Sequence, residues 1–121
     1  MSPEIEAARL DYLRSLEIVG TPSEPQFDAV ARLARDLFGV PIALISLIES
    51  DEQWFKARCG LGVEGTSRSV SFCSHAITGD DVLVVEDAWQ DPRFWSNALV
   101  TGDPHIRFYA GAPIIVPFCA S

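Results

Sequence analysis

The chain is poor in the residues that announce most chemistries. It has three cysteines in 121 residues, Cys59, Cys73 and Cys119. Odd in number and widely spaced, they do not make a disulfide framework, and a reducing cytoplasm is the simplest compartment for them. Lys56 is the sole lysine, and the 9 basic side chains face 17 acidic ones for a net charge of −8. No basic run accompanies them. Such a balance repels phosphate backbones and anionic lipid, so neither nucleic acid nor a membrane is expected as a partner. The longest near-continuous apolar run, residues 40–48, falls far short of the roughly 20 residues a spanning helix needs. The N-terminal MSPEIEAARL is acidic and polar, unlike a signal peptide. A Ser-His-Asp spacing, a phosphate loop and paired acids in a catalytic context are also absent, so an enzyme is not the expectation.

What remains is a globular composition, 48% hydrophobic and 21% charged, long enough for one domain with a real core. Ser2-Pro3-Glu4 reads as an N-cap, a first helical proline and an acid in the first turn. Ile5, Ala8, Tyr12, Leu13 and Leu16 then recur at helical spacing, and Gly20-Thr21-Pro22 is expected to end the helix. Ser23 with Gln26 suggests a capping box for a second helix. Its stripe is Phe27, Val30, Leu33, Ala34, Leu37 and Phe38, stopped by Gly39 and Pro41. The N-terminal helices thus occupy about residues 3–38.

Residues 42–48, IALISLI, are apolar on both faces, as in a central strand of a covered sheet. After the turn Glu49-Ser50-Asp51-Glu52, residues 53–58 alternate: Trp54, Lys56 and Arg58 one way, Phe55 and Ala57 the other. Gly60, Gly62 and Gly65 mark a loop to about Val70, and Ser71 is placed as the cap of a short helix through Ile77. Strands are expected at residues 82–86 and 108–116, separated by a loop punctuated by Asp91-Pro92 and Asp103-Pro104. Helices, a hairpin and two later strands make an α+β fold with an antiparallel sheet.

Taken in order, RLDYLRSLEIVGTPSEPQFD, VPIALISLIESDEQWFKARCGL, SFCSHAI, VLVVEDAWQDPRF and IRFYAGAPI resemble the GAF domain family, particularly the N-terminal GAF domains of bacterial sensor histidine kinases and diguanylate cyclases. The resemblance covers roughly residues 9–114. It implies a sensory or regulatory signalling module that binds a small molecule or mediates homodimerisation. It also implies a final central strand and C-terminal helix that this sequence lacks. The resemblance places that strand between the strand at residues 42–48 and the one at residues 108–116. Unpaired backbone there would cost about 1–3 kcal/mol for each buried unsatisfied group. Residues 114–119, or a strand from a second copy, are therefore expected to fill the position. Dimerisation is expected through the N-terminal helix or the C-terminal strand.

The segments matching the family's pocket wall nominate Trp54, Phe55, Phe72, Cys73, His75, Asp87, Phe94, Trp95, Arg107 and Tyr109. Cys73 and His75 invite covalent attachment of a bilin, but the family's bilin sites place His directly after Cys, and here Ser74 intervenes. A Cys-x-His pair, even with Cys59, lacks a second clustered pair for a metal, so no cofactor is expected. The plainer reading is a helix turn with Phe72, Cys73, Ala76 and Ile77 inward. Trp89, Phe94 and Trp95 either roof a ligand or plug their loop onto the sheet. Arg107 is expected to pair with Asp87 or Glu86, Gly111 and Pro113 to set a bend, and His105 to sit on a loop surface. The cyclic-nucleotide-binding members carry an Asn-Lys-…-Phe-…-Asp-Glu set that is not found here, which argues against cyclic GMP or AMP. Two alternatives stand beside the sensor: a cysteine-dependent methionine sulfoxide reductase using Cys59 and Cys73, and a dimerisation module with its pocket filled by Phe72, Trp95 and Tyr109.

Overall fold

Ser2 opens the first helix as read. In the computed structural model, which describes residues 1–114, its hydroxyl accepts the Ile5 backbone N–H at 3.2 Å. Helix α1 spans Pro3–Ser15, with Glu4 and Glu6 in its first turn, where carboxylates complement the helix dipole. It stops well before Gly20. The N–H groups of Leu16 and Glu17 fold back onto the carbonyls of Leu13 and Arg14, and Glu17 turns left-handed at φ 53°.

The inner face of α1 differs from the apolar stripe expected. Leu13 is buried and Glu6, Arg9 and Leu10 are half-buried, whereas Ile5, Ala8 and Leu16 are exposed. Ion pairing is the reason. The Glu6 carboxylate binds Arg9 at 2.7 Å and Arg68 at 2.6 Å, while Arg9 Nη1 donates to the Ile48 carbonyl at 2.6 Å. Neutralised in this way, charged side chains take inward positions that an unpaired charge could not hold. Arg9, then Arg68, hold the Glu6 carboxyl down at about 2 from an ordinary 4.5. A depressed carboxylate stabilises the fold fully above its ordinary value and loses that contribution as pH falls through its folded value. The chain is thus expected to lose stability as pH falls from 4.5 towards about 2. In thermal melts, Glu6→Gln should flatten that part of the profile; an unchanged profile would contradict the role given to this pair.

Helix α2 spans Pro25–Phe38 with Glu24 as N-cap and Gly39, φ 63°, as its left-handed C-cap. The capping box expected from Ser23 and Gln26 does not form. Pro25 takes the first helical position, where its missing N–H is harmless and its φ is preset, and Gln26 Nε2 donates to Glu24 Oε1 at 3.2 Å. Only part of the expected stripe is covered: Phe27 and Ala34 are half-buried, beside a buried Ala31 that the stripe did not include, but Val30, Leu33, Leu37 and Phe38 are exposed.

The hairpin follows as read, with β1 Ala43–Ile48 antiparallel to β2 Glu52–Cys59. Its register corrects the strict alternation. Ile45 pairs with Ala57, but Ser46 pairs with Phe55, so Lys56 is an extra residue, a β-bulge. From there the faces switch. Phe55 and Arg58, opposite Ser46 and Leu44, share one face; Trp54 and Ala57, opposite Leu47 and Ile45, share the other. A third strand, β3 Gly65–Ser67, pairs with β2 within the stretch expected to be loop. Glycine is required at its start, because a Cβ on Gly65 would strike the Gln53 carbonyl.

By contacts the chain forms two compact units, one to Arg68 and one from Ser69. The first holds α1, α2 and the three-stranded sheet in order β1-β2-β3; the second holds a two-stranded sheet of β4 Leu83–Val85 and β5 Tyr109–Gly111. The last strand had been expected to run to residue 116; residues 115 and 116, like Cys119 and most of the segment proposed for strand exchange, lie outside the described residues. Among the described residues β1 and β5 belong to separate sheets. No helix among those residues is long and apolar enough to cross a membrane.

Candidate functional site

Eight of the ten nominated side chains lie in the second unit, where short helical turns order the backbone around them. Ser71, buried, accepts the Ser74 N–H at 3.1 Å and so starts α3, Cys73–Ala76, as its position suggested. This turn points Phe72 inward, leaves Cys73 half-buried and exposes His75. Asn97 starts α4, Ala98–Thr101, accepting the Leu99 N–H at 2.8 Å and donating to the Val70 carbonyl at 3.1 Å. Asn97 escaped the sequence reading; an Asn ahead of Ala98-Leu99-Val100 was the available signal.

Between them, Asp87 accepts the Trp89 N–H at 3.1 Å, capping a single helical turn at Ala88–Gln90. Asp91 accepts from the Arg93 backbone at 2.9 Å and pairs with its guanidinium at 2.8 Å. Arg93 holds the Asp91 carboxyl down at about 2. This bracing sends Phe94 into the unit and Trp95 outward: Phe94 is 1% exposed and Trp95 58%.

Phe72, Val85, Ala88, Phe94 and Val100 form the buried core of this unit, with Tyr109 and Ile106 against it. The Phe72 and Phe94 rings lie parallel, 4.1 Å between centroids and 7° apart. Tyr109 tilts against Phe72 at 5.2 Å, and His75 meets the Phe94 ring edge-on at 4.8 Å. The Tyr109 hydroxyl donates to Cys73 Sγ at 3.1 Å. Burial, helped by the thiol, pushes the phenol up and keeps it protonated. Gly111 leaves room for this ring, since a Cβ there would meet it.

Among the described residues Arg107 does not make the expected ion pair. Its guanidinium donates to the Val100 carbonyl at 3.0 Å and lies 4.9 Å over the Trp89 ring. A cationic face over indole combined with a backbone carbonyl satisfies it without a carboxylate. Trp95 likewise does not fill the interior; Phe94 does. His105 is exposed on its loop, as read.

Trp54 and Phe55 lie in the first unit on opposite faces of β2. Phe55 is buried. The Trp54 indole N–H is buried and meets no acceptor among the described residues. Cys59 ends β2 in the first unit and Cys73 starts α3 in the second. No cluster of three or more His, Cys, Asp or Glu side chains suited to a metal occurs among the described residues.

Comparison with known families matches residues 23–117 to the GAF domain. This chain belongs to the GAF domain family. The matched span takes in α2, both sheets and the aromatic core just described. A cyclic di-GMP phosphodiesterase of Pseudomonas aeruginosa is 44% identical over 112 residues, 93% of this chain but 19% of its own length. The chain therefore spans about a fifth of that relative, and the likeness concerns one signalling domain of a longer protein. The GAF assignment agrees with the α+β order of elements.

Proposed function

We propose that this GAF domain is the regulatory input of a larger bacterial signalling protein, and that it acts by contact with another copy. The observation that carries this reading is the use of the second unit's interior. Phe72, Phe94 and Tyr109 fill the interior of this unit, with Phe72 stacked on Phe94 and tilted against Tyr109. Admitting a ligand there would require separating buried aromatic rings, at a cost near that of deleting one, about 3–5 kcal/mol. The likeness to one stretch of a cyclic di-GMP phosphodiesterase supports a regulatory place in such a protein. A thermal-shift panel of nucleotides, carboxylic acids and heteroaromatic metabolites should give no saturable stabilisation. A compound that raises Tm in a dose-dependent way, and fails to do so on Phe94→Leu, would overturn the reading.

One observation favours the small-molecule alternative. The orphan Trp54 N–H is the kind of buried donor that a ligand acceptor relieves, at a gain of about 1–3 kcal/mol. In that case Trp54→Phe should abolish the shift while leaving the unliganded domain at least as stable.

A further inference from the structure

Helix α1 is fastened by charge more than by burial. Leu13 is the one buried side chain among its 13 residues, and beside it Glu6, Arg9, Leu10 and Tyr12 are half-buried. A helix of about 12–15 residues is marginal by itself and holds through an apolar face packed on its neighbours. α1 has little of that. Its polar contacts converge instead on the turn after β1. Arg9 donates to the Ile48 carbonyl at 2.6 Å, and Arg14 pairs with the Glu49 carboxylate at 3.0 Å. Arg68, just after β3, donates to the Glu6 carboxylate at 2.6 Å and to the Glu49 carbonyl at 3.1 Å. The side chains in these ion pairs, between 22% and 53% exposed, stay open to dissolved ions.

The chain beyond α1 is held differently. The Lys56 ammonium binds Thr21 Oγ1, the Pro22 carbonyl and Glu24, and α2 after them rests on β1 and β2. Between α1 and that anchor lie residues 16–20, where Glu17 and Gly20 turn left-handed at φ 53° and 73°. We propose that α1 is a strap: it lifts from the first unit as a piece, hinged at residues 16–20, while α2 and the three-stranded sheet stay folded. Its latch is the pairing of Glu6 with Arg68 and of Arg14 with Glu49, and competing ions open it. Arg9 leaves with Glu6, since both are on the helix, so lifting gives up two ion pairs, the bond to the Ile48 carbonyl and the burial of Leu13. Water replaces the polar part. Openings of this kind belong to the least stable parts of a fold. Lifted, α1 bares Leu13 and the surface beneath it, so that surface becomes available according to the ionic surroundings. The inference concerns the first unit alone and is independent of the contact reading above.

Hydrogen exchange of the 121-residue chain, read by mass spectrometry on peptides from α1 and from the β1–β2 hairpin, tests this. Sodium chloride is raised from about 0.02 M to about 1 M, where the screening length falls to about 3 Å. Exchange in α1 should then quicken by about fivefold, the size of two partly exposed ion pairs. The hairpin peptides should keep their rate. Glu6→Gln should quicken α1 severalfold at low salt, and adding Glu49→Gln should leave its exchange indifferent to salt. Exchange in α1 that keeps pace with the hairpin under every condition would overturn the strap, because the helix would then open only with its unit. An α1 unprotected even at low salt would overturn it too, since there would be no closed state to latch. Faster exchange in α1 that ignores salt in the unaltered chain would overturn the charge latch.

Discussion

Phe94→Ala is expected to remove about 3–5 kcal/mol of stability, a large part of the roughly 5–15 kcal/mol a domain has. Phe94 is 1% exposed and stacks on Phe72 at 4.1 Å while the His75 ring leans on its edge. Truncation leaves a void among Phe72, Val85, Ala88 and Val100 that short connected elements cannot collapse to fill. The near-UV circular dichroism of the second unit should fade, and its urea midpoint should drop. Trp95→Ala, at the adjacent exposed position, should shift stability by well under 1 kcal/mol. If the two variants behaved alike, Phe94 would not be the centre of this core.

The second large effect belongs to Lys56. It is 2% exposed, and its ammonium donates to Thr21 Oγ1 at 2.6 Å and the Pro22 carbonyl at 2.9 Å and pairs with Glu24 at 2.7 Å. The Phe27 ring lies 5.7 Å away. One lysine thus ties the bulge in β2 to the connection between α1 and α2. Lys56→Met keeps much of the volume but strips three acceptors of their donor. Glu24, 41% exposed in its side chain, recovers water; the other two recover less. A loss of about 1.5–3 kcal/mol is expected, the range for hydrogen bonds to a charged group. Limited proteolysis should then cut between Ser15 and Pro25. Unchanged melting and cleavage would mean the clamp contributes nothing.

Both residues show where the sequence was legible and where it was not. Helix ends were readable wherever a backbone-fixing residue stood at the end: Ser2-Pro3 and Gly39 lie at or just outside the bounds of α1 and α2. The hairpin was readable from its apolar run and polar turn. The inner face of α1 was not, because Glu6 and Arg9 read as solvent-facing until Arg68, far away in sequence, completes the ion pairs. Nor was the bulge at Lys56: period-2 alternation says nothing about an inserted residue, and the insertion moved Arg58 to the face of Phe55. At the site, Cys73 and Tyr109 were both named, but their bond depends on the β4–β5 register. The choice between Phe94 and Trp95 turned on one residue of phase, set by the Asp91–Arg93 brace rather than by hydrophobicity. The Trp89 platform under Arg107 was missed because a cation beside Asp87 and Glu86 in sequence suggests a carboxylate partner first.

What these features share is a second unit filled with its own side chains and a first unit with apolar helix surface left over. Contact between copies is the reading we propose from that pair of facts. The mass of the unaltered chain by multi-angle light scattering, followed through a dilution series, tests it most directly. A dimer mass that gives way to monomer only on dilution is the expected result; a monomer at every concentration, with the helices intact by circular dichroism, would contradict it.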